Sequence, residues 1–345
     1  MRYLSVCSGI EAATVAWHPL GWQAAGFAEI DKFPSAVLAH HYPDTPNFGD
    51  FTTIKADDVG SINLLVGGTP CQSFSIAGLR GGLDDDRGNL ALEFCLLAQR
   101  TRPKWVVWEN VPGVLSMDGG QAFASILGGL AECGYGLAYR VLDAQHVRVD
   151  GYSGAVPQRR RRVFIVGYLG DWRRAAAVLF EPEGMRRDTP PRRKAGKDVA
   201  PTISARTKGR GGLGTEFDCD GGLSHPFDMD TMNTYVAHTL NAKGGAGRID
   251  SESETFVASR AELRLCGGGK PGQGQPCITD QWAVRRLTPT ECERLQGFPD
   301  GYTQVPYRRK DAADGPRYKA LGNSMAVNVM RWIGQRISLC SDINN

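Results

Sequence analysis

A thiol, a carboxyl and a row of guanidinium groups each stand at one end of an apolar run with the length of a buried strand. Leu64-Leu65-Val66 runs into Gly67-Gly68-Thr69-Pro70 and then presents Cys71, followed by Gln72 and Ser73. Trp105-Val106-Val107-Trp108 ends in Glu109-Asn110, and Gln158-Arg159-Arg160-Arg161-Arg162 leads into Val163-Phe164-Ile165-Val166. A lone cysteine is more often buried and inert. Here Gly67-Gly68 lets a ligand approach the backbone, and the carboxyl end of a central strand is where open α/β sheets place their chemistry. A thiol and a carboxyl at one sheet edge suit nucleophilic catalysis, with the carboxyl kept protonated by desolvation so that it can activate a poor electrophile. An ordinary thiol titrates near ~8.5, so Cys71 needs positive charge close by. Alternation places Gln158, Arg160 and Arg162 on one strand face and Arg159 and Arg161 on the other. The plainer account of these arginines is a charged edge that blocks aggregation.

The elements that must carry these groups follow in order. Tyr3-Leu4-Ser5-Val6 is a first strand, Cys7-Ser8-Gly9-Ile10-Glu11 a tight turn and Ala12 to Trp17 a helix. Such a unit brings backbone N–H groups to a ligand, as in nucleotide-binding α/β folds. Trp22 to Ala28 forms a second strand, and Glu29-Ile30-Asp31 follows it about 20 residues after the turn, where an acid accepts from ribose hydroxyls. Asn47-Phe48-Gly49-Asp50-Phe51 closes a third unit, with Asp50 placed to accept from an amino group of a base. Ser73 to Asn89 is a long Gly-rich loop of the kind that serves as a lid. Helices are expected over Leu90–Arg100 and Gly119–Cys133, and strands over Leu137–Leu142 and from Val163. Thr288, Pro289 and Glu291 form a capping box that starts another helix, stopped by Gly297 and Pro299. The stretch Leu321-Gly322-Asn323-Ser324-Met325-Ala326-Val327 is expected to form the start of the last helix, which packs beside the first strand.

The chain has 345 residues, enough for one large domain and a smaller one, and a net charge of +3, so its cations act through clustering. Nine cysteines without a Cys-x-x-Cys pair point away from a disulfide framework and from a metal site, and towards reduced thiols in a cytoplasm. Met1 to Trp17 is interrupted by Ser8-Gly9 and Glu11 and does not read as a signal peptide; no membrane span is expected.

Gly-x-Pro-Cys-Gln after an apolar strand, together with the motifs above in the same order, resembles the DNA cytosine-5 methyltransferases over most of residues 1–170 and 285–338. The resemblance implies a doubly wound, mostly parallel α/β sheet of the Rossmann-like methyltransferase type. Its domains would be a catalytic and cofactor-binding part over 1–170, an inserted recognition domain over 171–284, and a return to the catalytic domain over 285–345. It further implies S-adenosylmethionine as cofactor, held by Ser8, Gly9, Ile10, Glu29, Ile30, Asp50, Phe51, Pro70, Leu90, Asn323 and Ser324. The catalytic set is Cys71, Glu109, Arg160 and Arg162, with Cys71 adding to C6 of a cytosine that has left the duplex. Gln72, Ser73 and Gln158 are carried over as DNA contacts. The expected partner is double-stranded DNA with a target cytosine, met by a monomer in a bacterial or phage-infected cell, in some systems alongside a cognate restriction endonuclease. The chain departs from the family where Cys7 replaces an aromatic and where Glu11 and Ala12 replace two glycines.

From Gly170 to about Asp280 regular periodicity fades, and Pro, Gly and clustered cations become dense. A short repeat, Ala200 to Ala205 against Ala237 to Ala242, is followed each time by glycines beside cations, which suggests Lys208, Arg210, Lys243 and Arg248 as DNA contacts. Two hairpins with mobile tips explain the same pattern. Asp188-Thr189-Pro190-Pro191 resembles an amino-methyltransferase signature, but Arg192 stands where an aromatic should. Rival assignments are a transfer-RNA methyltransferase, a silent DNA-binding paralogue and a nicotinamide-dependent dehydrogenase; the last lacks a Gly-x-Gly-x-x-Gly turn and leaves Cys71 unexplained.

Overall fold

The computed structural model describes residues 1–70, 90–149, 155–180, 256–260 and 282–342. Six strands form one sheet: β1 (Arg2–Val6), β2 (Gln23–Ala28), β3 (Leu64–Gly67), β4 (Trp105–Asn110), β5 (Tyr135–Asp143) and β6 (Arg161–Leu169). Their order is β2-β1-β3-β4-β6-β5. β1 pairs in parallel with β2 and β3, and β3 with β4, while β6 runs antiparallel to β4 and β5. The sheet is therefore mostly parallel with one reversed strand. The third unit expected to close at Asp50 contributes only a single parallel bridge, Phe27 to Asn47. Asn47 is committed elsewhere, its amide accepting from Glu29 N at 2.9 Å and donating to Glu29 O at 3.1 Å.

Both faces of the sheet are covered, which is what the continuous apolar strands require. Leu4, Val6, Leu65, Val106, Trp108 and Ile165 point into one core with α4 (Leu90–Thr101) and α5 (Gln121–Glu132), through Phe94, Ile126 and Leu130. Tyr3 points the other way and meets Trp17 of α1 (Ala12–Trp17) edge-on at 5.1 Å. Also present are α2 (Lys32–His41) and the single-turn α3 (Ala56–Val59). Beyond the sheet come α6 (Trp172–Leu179), α7 (Pro289–Gln296), α8 (Asp314–Asn323) and α9 (Val327–Asp342). Helix α6 follows the boundary expected at residue 170 and packs on β5 and β6.

The capping box at α7 is present, with Thr288 accepting from Glu291 N at 3.2 Å and Gly297 in the left-handed region at φ 83°. The last helix differs from expectation in two ways. Leu321-Gly322-Asn323 finishes α8, Ser324 is extended, and α9 starts only at Val327. It packs on α1 and α6 rather than beside β1, with the Trp17 indole donating to Met330 O at 2.7 Å. A Cβ on Gly334 would lie 2.4 Å from that indole, so this glycine sets how closely the two helices approach.

The strand β7 (Phe256–Arg260) pairs antiparallel with β8 (Trp282–Arg286), and this hairpin belongs to a second compact unit. Lys208, Arg210, Lys243 and Arg248 lie outside the described residues. No helix among the described residues is long and apolar enough to cross a membrane.

Candidate active site

The strand order reverses direction of growth between β1 and β3, and ligands of open α/β sheets bind at such a switch point. There Val6 stands beside Gly67, whose added Cβ would lie 2.6 Å from the Val6 side chain and 2.8 Å from its carbonyl. Only glycine lets the ends of these two strands come together. Above them the turn Cys7 to Glu11 carries three left-handed residues, Cys7, Gly9 and Glu11, at φ 49°, 57° and 65°. Ser8 fastens the turn to β2, donating its amide to Ala28 O at 3.2 Å and accepting from Ala28 N on its hydroxyl at 3.1 Å. Gly9 N donates to the Glu29 carboxylate at 2.8 Å, and Asp31 N donates to its other oxygen at 2.7 Å. Burial pushes the Glu29 carboxyl above its usual range. Ile30 beside it is 75% exposed, an apolar side chain left open next to an acid. Ile10 is buried, and its carbonyl accepts from the Tyr302 hydroxyl at 2.9 Å. Asp50 caps a short turn by accepting from Thr52 N at 3.0 Å, whereas the Phe51 side chain belongs to the core.

Cys71, Gln72 and Ser73 lie outside the described residues, but the chain that leads to them is hydrogen-bonded to the neighbouring strand. Thr69 is buried; its hydroxyl accepts from the Trp108 indole at 3.0 Å and its carbonyl from the Asn110 amide at 3.0 Å. Two such bonds contribute roughly 1 kcal/mol each. They tie the stretch before Cys71 to the strand that carries Glu109. Pro70 is exposed, and Leu90 opens α4, half-buried against the core.

Glu109 stands at the end of β4, its carboxylate 3.1 Å from the Arg162 guanidinium, with both side chains less than 15% exposed. Burial raises the Glu109 carboxyl, and Arg162 and then Arg160 oppose that rise. The alternation read from the sequence holds, with Gln158 and Arg160 buried, Arg162 half-buried, and Arg159 and Arg161 exposed. Arg160 is 2% exposed; its backbone N donates to Asp143 at 2.9 Å and its side chain to the carbonyls of Gly322, at 3.1 Å, and Ser324. Its Nε and Nη1 meet no acceptor among the described residues. Burial lowers this guanidinium to about 9, with Arg162 adding to the shift and Glu109 opposing it.

One cleft collects these pieces: Ser8 and Gly9 from the turn, Gly68 after β3, Glu109 from β4, and Asn323, Ser324 and Met325 between α8 and α9. Of the residues picked out in the sequence, the cleft joins Ser8, Gly9, Glu109, Asn323 and Ser324, and Glu29 reaches it through Gly9. Thr69, Asn110, Asp143 and Met325 escaped that reading. Asn110 was the most accessible of these, being a polar residue at the last position of an apolar strand. Gly68 has the least room, since a Cβ would lie 3.0 Å from Glu109 Oε2 and 3.3 Å from the Met325 methyl. Gly68→Ala should therefore displace a carboxylate that Arg162 holds, lowering turnover about tenfold with little change in melting temperature; turnover at the wild-type level would show that the carboxylate yields freely.

The model of the C-5 cytosine-specific DNA methylase family matches residues 1–339. The chain belongs to that family. Among curated relatives, the type II methyltransferase M2.BsuMI of Bacillus subtilis (strain 168) is 28% identical over 98% of this chain and 75% of its own length. M.HpaII of Haemophilus parainfluenzae is 28% identical over 97% and 88%. A protein of Escherichia phage P1 is 38% identical over 97% of this chain; it is named a DNA N-6-adenine-methyltransferase, and the chain spans 61% of its length. The solved Dnmt2 methyltransferase of S. pombe superposes with a TM-score of 0.62 at 16% identity, each chain fully covered. That of Spodoptera frugiperda gives 0.61 at 17% identity over 98% and 99%. These two show the same fold.

Proposed function

We propose that this protein transfers a methyl group from S-adenosylmethionine to C5 of a cytosine in duplex DNA. The observation that carries the proposal is the single cleft in which Glu109, paired with Arg162, meets the Ser8-Gly9 turn and Asn323-Ser324. The left-handed turn at Gly9 leaves open space, and Glu29 and exposed Ile30 stand at the next strand end, so the residues suit a ligand with a ribose and an apolar ring. Ser8, Gly9, Ile10, Glu29, Ile30, Asp50, Asn323 and Ser324 would hold it, with the backbone of Phe51, Pro70 and Leu90 completing the walls. When bound, S-adenosylmethionine supplies an electrophilic methyl group.

The residues of the chain divide the remaining work. C6 of cytosine is a poor electrophile, so Glu109, whose carboxyl burial biases towards the protonated form, would donate to N3 as the Cys71 sulfur bonds to C6. Arg162 holds the Glu109 carboxyl in place, and the spare donors of Arg160 offer contacts to the base or its phosphate. Thr69, through Trp108 and Asn110, fixes where the chain bearing Cys71 begins. C5, made electron-rich by the sulfur at C6, would take the methyl group as the bond from that carbon to the sulfonium sulfur breaks and leaves a neutral thioether; loss of the C5 proton to a base then re-forms the C5–C6 double bond and expels Cys71 as a thiolate. The cytosine must leave the stack for this, at a cost of a few kcal/mol that protein contacts offset. Gln72, Ser73 and Gln158 would support the opened site. An insert spanning about 171–284 would read the flanking sequence, Lys208 and Lys243 meeting phosphates and Arg210 and Arg248 base edges. The enzyme would act as a monomer in the cytoplasm, with or without a cognate endonuclease.

An adenine amino group attacks a methyl donor directly and needs no thiol, which sets this chemistry apart from that named for the phage P1 relative. The test is to incubate the protein with duplex DNA and S-adenosylmethionine, digest to nucleosides and separate them. 5-Methylcytosine is expected; N6-methyladenine, or methylation confined to a transfer-RNA arm run in parallel, would overturn the proposal.

A further inference from the structure

The cleft contains a carboxyl that the chemistry above leaves unused. Glu11 is 1% exposed and caps α1 from a left-handed backbone. Its carboxylate accepts from the Ser5 hydroxyl at 2.8 Å, the Thr14 amide at 3.1 Å and the Thr14 hydroxyl at 3.0 Å. All three donors are neutral, and no cationic side chain pairs with it among the described residues. A buried carboxylate that lacks a cation is costly, and a cation arriving from outside would relieve the cost. Glu11 lines the same cleft as Cys7, Gly9, Glu109 and Ser324, so a ligand there meets it.

We propose that Glu11 makes the cleft selective for positive charge, favouring the sulfonium of the methyl donor over the neutral thioether that remains after transfer. The inference rests on the cofactor assignment above and deepens it. Its consequence is that the spent cofactor is held less tightly than the fresh one, which hastens product release.

Titration follows from the same geometry. Burial raises the Glu11 carboxyl to about 7. At neutral pH it is then part-protonated in the free protein, and a cation would drive the proton off while a neutral ligand would not. Among the described residues the one charge acting on it is a like one, the Glu29 carboxyl, which adds to the rise, and no cation offsets it. Tyr3 from β1, Tyr42 beyond α2 and Tyr302 beyond α7 are phenols that burial raises, and Tyr302 is backed by His41, stacked on it at 4.1 Å. The Cys7 thiol is pushed up to about 12 by burial. Glu29 holds Gly9 N, Glu109 is paired with Arg162, and Arg160 is held by the Gly322 and Ser324 carbonyls.

The experiment is calorimetry of the intact protein with S-adenosylmethionine and with S-adenosylhomocysteine, in two buffers of different ionisation enthalpy. With Glu11 near 7, the methyl donor should release about half a proton more than the product at pH 7. The ratio of their affinities should rise about tenfold between pH 6 and pH 8. Glu11→Gln should remove both differences; the ligand's own amino group titrates alike with wild type and variant and so cancels. If that variant does not fold, an analogue with a quaternary dimethylammonium in place of the sulfonium, whose charge is fixed, should reproduce the tenfold rise on the wild type, and a flat profile would overturn the inference. Equal proton release by both ligands with a constant affinity ratio would sink this inference alone, whereas binding of neither would sink the cofactor assignment with it.

Discussion

Cys71→Ser should reduce methyl transfer to background while leaving affinity for S-adenosylmethionine within about twofold. A serine hydroxyl occupies nearly the same space but is scarcely ionised at neutral pH, so it cannot add to C6 at a useful rate. Of the residues proposed above to hold the cofactor, Ser8, Gly9 and Ile10 lie on the β1 turn, Glu29 and Ile30 at the end of β2, and Asn323 and Ser324 at the α8–α9 junction, all on elements other than the one that leads to Cys71. Duplex DNA with 5-fluorocytosine at the target should trap the wild type in an adduct that survives denaturation, because fluorine cannot leave as a proton does. The serine variant should give no adduct. Near-normal turnover by Cys71→Ser would rule out the covalent route.

Glu109→Gln should lower the single-turnover rate roughly hundredfold, about 2.7 kcal/mol of barrier, with little loss of DNA affinity. The amide keeps a hydrogen-bond partner for the base and for Arg162 but has no proton to give. The pH profile carries the sign of the effect. Burial raises Glu109, so the protonated donor is present below its raised value, and rate is lost as pH climbs through it. Thiolate formation acts in the opposite sense, so the wild-type profile should be bell-shaped, and Glu109→Gln should lose the falling limb. Collapse of DNA affinity with chemistry intact would make Glu109 a binding residue instead.

Much of this arrangement is written locally in the chain. Two apolar runs that end in Gly67-Gly68 and in Glu109, and a third that begins after Arg162, foretell buried strands because nothing but burial on both faces tolerates them. The alternation of Gln158, Arg160 and Arg162 follows from the twofold period of a strand, and the Thr288–Glu291 box from the unpaired amides of a helix start. What the chain conceals is relational. An apolar run is equally apolar in either direction, so the reversal of β6 leaves no trace in its composition. Gly322-Asn323-Ser324 is a helix breaker, and a breaker does not say whether the helix lies before or after it; here it lies on both sides. Thr69 and Asn110 are ordinary polar residues until β3 and β4 are placed side by side. Glu11 stands in the sequence only as a turn residue where the family has a glycine, and only the fold shows it buried at the cleft and bonded to Ser5 and Thr14.

The α8–α9 junction also governs when the protein becomes an enzyme during its own synthesis. Glu109, Arg160 and Arg162 are made well before the residues that wall the cleft on its far side. Asn323, Ser324 and Met325 follow only about 160 residues after Arg162, yet they form one wall of the cleft, and the carbonyls of Gly322 and Ser324 are those on which Arg160 rests. Helix α9, later still, is what Trp17 donates to and packs against. A chain released early would thus carry the reactive groups without the chamber that organises them, and an incomplete copy would leave DNA unmarked.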